Sequence, residues 1–212
     1  MYVWGLFNGK EFTVPDKVKD LEGKSIINVA SGGNFYLAVS SNGQLYGWGN
    51  TKYSRFGIVS NEYIPIPKQI PIKIQAKIIS AGNWHSMVID SNSRVYSVGH
   101  NKQGACGTGD FNNVETFTLA KTEITAKNIV CGDCFSFIIS SENDLYSCGH
   151  GDFHGHKTKE HLSKPKKLEF SGEKIVNVSA GFNHSLAVTD KGATYSWGNG
   201  SFFQLGHNSK ND

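Results

Sequence analysis

The chain has 212 residues and a formal net charge of +3, with glycine at 24 positions, charged residues at 18% and aromatic residues at 12%. Frequent glycine with few charges excludes a coiled coil or helical bundle, and the apolar and aromatic content excludes disorder. The charge is too small to mark a nucleic-acid-binding protein by its overall field, and no apolar run approaches the roughly 20 residues of a membrane-spanning helix.

The amino terminus, Met1-Tyr2-Val3-Trp4-Gly5, has neither the basic nor the apolar region of a secretory signal. The cysteines Cys106, Cys131, Cys134 and Cys148 do not form a disulfide-framework pattern in a chain this long. A soluble intracellular protein with reduced thiols is expected, cytoplasmic or nuclear.

Two motifs alternate along the chain. The first is Val29–Val39, returning as Ile79–Ile89, Ile129–Ile139 and Val178–Val188, each with a central glycine: Gly32, Gly82, Gly132 and Gly181. These glycines are spaced by 50, 50 and 49 residues. The second motif is Leu45-Tyr46-Gly47-Trp48-Gly49, returning as Val95–Gly99, Leu145–Gly149 and Thr194-Tyr195-Ser196-Trp197-Gly198, with Tyr2-Val3-Trp4-Gly5 as an earlier copy. The distance from first-motif to second-motif glycine is 17 residues in every repeat, whereas the gap to the next first motif varies as 27, 33, 33 and 32. Constant spacing predicts a tight hairpin, and variable spacing predicts a surface connection.

The hairpin reads as an apolar strand, a polar turn and a second strand. The turns Ser41-Asn42-Gly43 and Asp190-Lys191-Gly192 supply the positive-φ positions that short hairpins require. Gly49, Gly99, Gly149 and Gly198 then let the chain bend or approach a neighbour closely. Prolines fall only outside the hairpin, at Pro15, Pro65, Pro67, Pro71 and Pro165. With no helical periodicity, a repeat of this length predicts an all-β chain of propeller blades. Residues 1–212 are one propeller region, with repeats at 1–44, 45–94, 95–144 and 145–193 and a partial repeat at 194–212.

Candidate chemistry is sparse. His85 and His184 occupy matched positions of different repeats, which points to a structural task, a hydrogen bond to backbone within or between blades. The neighbours His85-Ser86 and His184-Ser185 point to opposite faces of a strand and cannot act as a nucleophile–base pair. Cys131 and Cys134 have the spacing of a metal or redox pair, but they take the places of Ala81 and Trp84, and Cys148 that of Trp48, so they read as small core hydrophobes. The loop from His150 to His161 departs from the other repeats. Its imidazoles, with His154 and His156 at its centre, could hold a metal; its basic stretch of Lys157, Lys159, Lys164, Lys166 and Lys167 could meet phosphate or an acidic partner; or it is an ordinary solvated rim loop. No nucleophile elbow, phosphate-binding loop or paired catalytic carboxylates occur, and no cofactor is expected.

The pattern resembles the regulator-of-chromosome-condensation (RCC1-like) repeat, with its small-small-Gly-x-x-His-Ser-aliphatic strand and Tyr-x-Trp-Gly-x-Asn strand. Residues 79–89 and 178–188 match the first signature, while Phe35 and Phe135 replace the histidine in the other copies. The structural positions implied are Gly32, Gly82, Gly132, Gly181, His85, His184, Trp48, Trp197, Gly49, Gly99, Gly149 and Gly198. The family ring has seven blades, so the resemblance implies a partial ring, completed by further repeats or another chain, or an open arc. Its founding activity implies nucleotide exchange on a Ran-type GTPase with chromatin association, for which Asp110 and Asp152, in corresponding loop regions, are the polar candidates. No insertion long enough for the family's wedge is found, and the Gly-x-Asn-Asp-x-x-Ala-Leu-Gly-Arg signature is missing; residues 49–57 and 99–107 come nearest. The leading expectation is therefore a non-enzymatic protein-interaction module, possessing no covalent chemistry, within a larger regulator. Exchange is the alternative, and nucleic-acid binding through Lys157–Lys167 ranks below both.

Overall fold

A computed structural model describes residues 1–7, 10–60 and 62–208, with the side chains of residues 2–12 left outside the description. The chain opens with β1 (Tyr2–Phe7) paired antiparallel to β2 (Lys10–Lys17). The first sheet is β3 (Ile26–Gly32), β4 (Phe35–Ser40), β5 (Leu45–Gly49) and β6 (Ile64–Gln69). The second is β7 (Ala76–Ala81), β8 (His85–Asp90), β9 (Val95–Gly99) and β10 (Val114–Leu119). The third is β11 (Ala126–Cys131), β12 (Phe135–Ser140), β13 (Leu145–Gly149) and β14 (Leu162–Lys167). The fourth, with three strands among the described residues, is β15 (Ile175–Ala180), β16 (His184–Thr189) and β17 (Thr194–Gly198). Each is an antiparallel meander in chain order. Short 3₁₀ turns at Lys19–Leu21 and Lys52–Ser54 are the helical elements, and among the described residues no helix is long and apolar enough to cross a membrane.

This is the expected all-β arc of propeller blades. The first strands β3, β7, β11 and β15 lie beside one another from sheet to sheet, as the inner strands of a propeller do. Repeats counted from residues 45, 95 and 145 start in the third strand of one sheet and finish in the second strand of the next, so sequence repeat and sheet are out of phase. The side chains of Tyr2-Val3-Trp4-Gly5, and Asn211-Asp212, lie outside the described residues.

The apolar cores sit between sheets rather than within them. Phe35, Leu37 and Val39 of β4 pack with Ile79 and Val88 of the second sheet; Met87 and Ile89 of β8 pack with Ile129 and Ile138 of the third. Phe135, Phe137 and Ile139 of β12 pack with Val178 and Ala187 of the fourth. Alternate side chains of one strand thus serve two seams, which is why β8 and β12 are buried along their whole length. Each such large apolar side chain contributes about 1.5–3 kcal/mol on burial. The other side of the first sheet is covered by Met1, Val18 and Leu21, over Tyr46, Trp48 and a Tyr36 ring stacked on Trp48 at 5.2 Å.

The repeated glycines have a packing reason. A Cβ on Gly82 would collide with the Gly132 carbonyl and the His85 ring, and one on Gly181 with the His184 ring. The ring of the His or Phe three residues on occupies the space a Cβ would take, and both kinds of ring fit there. Gly99 closes the second motif at φ +120°, tight against the Trp84 carbonyl. In the hairpin turns Gly43 and Gly192 take positive φ as expected, whereas the second and third sheets put Ser93 and Asn143 there. Pro65, Pro67 and Pro165 fall on the outer strands β6 and β14, where one side of the strand makes no ladder.

Candidate functional site

In each four-stranded sheet the turn between first and second strands and the long connection between third and fourth strands emerge at the same end, and in the last sheet the chain leaves β17 at that end. We call this end the loop face. Three backbone hydrogen bonds from matching donors knit it across the seams: Gly33 N–H to the Gly82 carbonyl (3.1 Å), Asn83 to Gly132 (3.3 Å) and, with the acceptor one residue further along, Asp133 to Phe182 (3.3 Å). The long connections are anchored too. The carbonyls of Arg55, Ala105 and Phe153 accept from Ser86 (2.5 Å), the Cys148 thiol (3.5 Å) and the Trp197 indole (3.2 Å) of the following sheet. The face is therefore a fixed platform whose exposed side chains stand on stitched backbone.

Below it lies the histidine position. His85 and Ser136, both at 0% exposure, share a hydrogen bond of 2.6 Å across the seam of the second and third sheets. Ser86 points the other way, to Arg55 in the first sheet, as strand alternation requires. His85 thus pairs with a side-chain hydroxyl of the next sheet, fifty-one residues on, and the Asp133 backbone of that sheet also acts on its ring. Burial pushes its pKa down to about 4, with His100 adding a smaller effect, so the ring is neutral at neutral pH. His184 rests on Gly181 in the last sheet and is partly exposed.

The loop from His150 to His161 is more built than a solvated rim loop. It is two residues shorter than its counterpart in the second sheet. Ser147 Oγ donates to the His154 carbonyl (2.6 Å) as Ser97 donates to that of Cys106 (2.6 Å), so His154 fills the buried position held elsewhere by Phe56, Cys106 and Leu205. His154 is fully buried: its Nε2 pairs with the Glu160 carbonyl (2.9 Å) and its Nδ1 accepts from the His156 N–H (3.1 Å). Gly151 N–H donates to His161 Nδ1 (3.1 Å) and Asp152 N–H to His150 Nδ1 (3.3 Å). The imidazoles of His150, His154 and His161 thus help to fold the loop, while His156 Nε2 is buried without a hydrogen-bond partner. Burial lowers the pKa of His150 and His154, and that of His156 to about 4. Among the described residues no three metal-ligating side chains converge.

The remaining candidates are spread out. Asp152, three residues past Gly149, is exposed near Lys159 and His150, each at 3.9 Å. Asp110 is exposed, with its carboxylate accepting from Asn112 N–H (2.9 Å), and lies eleven residues past Gly99. The two aspartates share a connection type but not a register. Lys157 and Lys159 are exposed on the loop face; Lys164 and Lys166 follow along β14; Lys167 ends it at the opposite face, where it pairs with Asp144 at 2.9 Å beside Lys174 at 2.7 Å. The lysines form an edge rather than a patch. Cys131 is buried and Cys134 half-buried on the loop face, their thiols pushed up by burial to about 11 and about 12, well away from thiolate chemistry.

Sequence reasoning missed the cluster at the first seam. Arg55 is 2% exposed, and its guanidinium lies 4.7 Å from the Trp84 ring. Tyr53, 40% exposed, meets Trp84 edge-on at 5.8 Å and His100 at 4.8 Å. The available signal was a charged residue standing where the other connections have Ala105, Phe153 and Gln204.

Models described as the regulator of chromosome condensation (RCC1) repeat match residues 26–55, 76–105 and 175–204, and in a second form 42–89 and 142–188. The human E3 ubiquitin-protein ligase HERC2 is 31% identical over 96% of this chain, which spans 4% of that protein. The Arabidopsis thaliana ultraviolet-B receptor UVR8 is 28% identical over 95% of this chain and 36% of its own length. Among solved structures, yeast RCC1 (Prp20), in a complex with Kap60, superposes with a TM-score of 0.84 at 26% identity, covering 98% of this chain and 52% of that one. Human WBSCR16 gives 0.83 at 24% identity over 93% and 54%. The chain therefore spans about half of these solved structures and a small part of the curated relatives.

Proposed function

We propose that this chain, which belongs to the regulator of chromosome condensation (RCC1) repeat family, is a non-enzymatic protein-interaction platform whose loop face carries the partner. The observation that supports it is the set of exposed side chains on the stitched turns and connections of adjacent sheets: Tyr53 and Lys102 around the half-buried Trp84, then Asp152 and Lys159, then Phe182 and Phe202. A surface of this kind recognises a partner by shape and charge, on a scaffold that does not have to be ordered on binding. The ligase and photoreceptor activities named for the relatives belong to proteins of which this stretch is a fraction, and neither is carried over.

The reading includes a second contact. On the last sheet Leu186, Val188 and Tyr195 are exposed at 41%, 38% and 37%, where the second and third sheets have buried Met87, Ile89, Phe137 and Ile139 and half-buried Tyr96 and Tyr146. An apolar face of this kind takes further repeats of the same type or another chain.

A photo-crosslinking residue placed at Tyr53, Asn183 or Lys159, compared with Lys73 and Lys191 on the opposite face, tests the platform. Reproducible protein adducts restricted to the loop-face positions support it; equal adducts at both faces refute it. Saturable acceleration of nucleotide release from a Ran-type GTPase, abolished by Asp110→Ala or Asp152→Ala, replaces the platform reading with exchange.

A further inference from the structure

The seam between the first two sheets carries a charge that the fold does not compensate. Arg55 donates from Nε to the Lys52 carbonyl (2.8 Å) and from Nη1 to those of Gly33 (2.7 Å) and Asn83 (3.2 Å), all neutral acceptors. Its Nη2 is buried without a partner, and among the described residues no carboxylate lies within ion-pair distance. Buried guanidinium groups are ordinarily paired, so this one leaves positive potential at the seam.

The surroundings add to it. Lys52 and Lys102 stand at the same position of adjacent connections, three residues past Gly49 and Gly99; both are exposed, and among the described residues neither has an ion pair. In the third sheet this position is Asp152, so the positive strip belongs to the first seam. Asp133, at the next seam, has its carboxylate occupied by Asn83 Nδ2 (2.8 Å) and the Cys134 thiol (3.2 Å), and Glu62 is exposed on the β5–β6 connection without pairing to these cations. Between the lysines, Tyr53 and Trp84 offer an aromatic surface. Tyr53 is held there at φ 60° and ψ 22°, a left-handed conformation that is costly for an aromatic residue and that Gln103, its counterpart, does not share.

We propose that this seam is a docking site for an acidic protein segment, whose carboxylates pair with Lys52 and Lys102 and whose neighbouring apolar side chain packs on Tyr53 and Trp84. The proposal rests on the platform reading and names the chemistry of the partner. A protein segment fits better than a nucleic acid. A phosphate backbone is held by many cations, whereas here two exposed lysines stand near Glu62 and Asp133 in a chain with a net charge of only +3. Arg55 itself stays buried; it biases the site through its field and fixes the Trp84 ring.

The test uses the full chain and fluorescence anisotropy with a labelled random copolymer of glutamate and tyrosine. A lysine–tyrosine copolymer and a labelled single-stranded oligothymidine are run beside it, at low and high salt. The expected result is saturable, salt-sensitive binding of the acidic copolymer alone. The double variant Lys52→Glu, Lys102→Glu weakens it about tenfold with an unchanged melting temperature, because both side chains are exposed. Tyr53→Ala weakens it independently, and Lys73→Glu with Lys191→Glu on the opposite face leaves it unaltered. Absence of binding to the acidic copolymer, binding insensitive to the Lys52 and Lys102 reversals, or tighter binding of the oligothymidine overturns the proposal. Loop-face crosslinks that persist in the double variant would sink this inference and leave the platform standing.

Discussion

Ser136 and Ser185 occupy the same position of successive sheets, both at 0% exposure, yet the same substitution should act on them in opposite directions. Ser136 Oγ is bonded to His85 Nε2 at 2.6 Å, so Ser136→Ala leaves a buried imidazole nitrogen without a partner. That costs about 1–3 kcal/mol, and the middle of the range lowers the melting temperature by roughly 4–8 °C for a chain of this size. At the next seam the residue in the position of His85 is Phe135, which cannot hydrogen-bond, and Ser185 Oγ is buried without a partner. Ser185→Ala removes an unsatisfied hydroxyl and should leave stability unchanged or raise it by about 1 kcal/mol. Urea unfolding followed by tryptophan fluorescence measures both, with unchanged denaturant slopes as the check that only the native state has altered. The pairing can be transplanted: in a Phe135→His background, Ser185→Ala should become costly, giving a coupling energy of about 1 kcal/mol in the double-mutant cycle. Equal losses from Ser136→Ala and Ser185→Ala would refute the reasoning and make the position one of size alone.

Other outcomes follow from the same contacts. His85 has a folded pKa of about 4, below its unfolded value, so the unfolded chain binds the extra proton as pH falls. Stability should be full above about pH 6.5 and decline by about 3 kcal/mol on descending to pH 4, with the lowered values of His150 and His154 adding in the same sense; urea midpoints against pH measure it. Burial raises the pKa of all four thiols, so a disulfide reagent at mildly alkaline pH should react slowly with the native chain, with half-buried Cys134 leading, and rapidly with all four after denaturation. Gly82→Ala drives a methyl into the Gly132 carbonyl and should cost more than 2 kcal/mol by thermal melting, whereas Gly192→Ala, at φ +81° with open space around it, should cost about 1 kcal/mol. Leu186→Lys with Val188→Lys on the open face of the last sheet should reduce self-association in light scattering without lowering stability.

The hairpins were legible because their signals are local. Constant glycine spacing, apolar alternation and a polar turn each report on residues a few positions apart, and the sheets form where those signals lie. The contacts between sheets were not, because they join residues about fifty positions apart in the chain. The partner of His85 is one case; another is Asn83, whose side chain donates to Asp133 at 2.8 Å. Register within the connections was also hidden. The third connection lost two residues, and this moved His154 from an apparent surface loop into the position of Phe56 and Cys106, a change visible only once Ser147 and Ser97 were seen to bond the corresponding carbonyls. Arg55 was overlooked because an arginine in a polar stretch reads as solvated, and nothing local says that Trp84 lies over it.

These between-sheet contacts also explain how near-identical repeats acquire a single address for a partner. The scaffold bonds donated by Gly33, Asn83 and Asp133 recur at each seam, the last displaced by one acceptor residue, and as backbone contacts they present no side chain for a partner to read. The side chains beside them differ: an arginine under Trp84 at the first seam, a His–Ser pair at the second, and a phenylalanine against an unpartnered serine at the third. Only at the first does the substitution put a buried charge next to an exposed tyrosine and a half-buried tryptophan, with a lysine on either side. Changing His85 or Phe135 should therefore alter stability without altering recognition, since both rings are hidden at 0% exposure. Changing Lys52, Lys102 or Tyr53 should do the reverse.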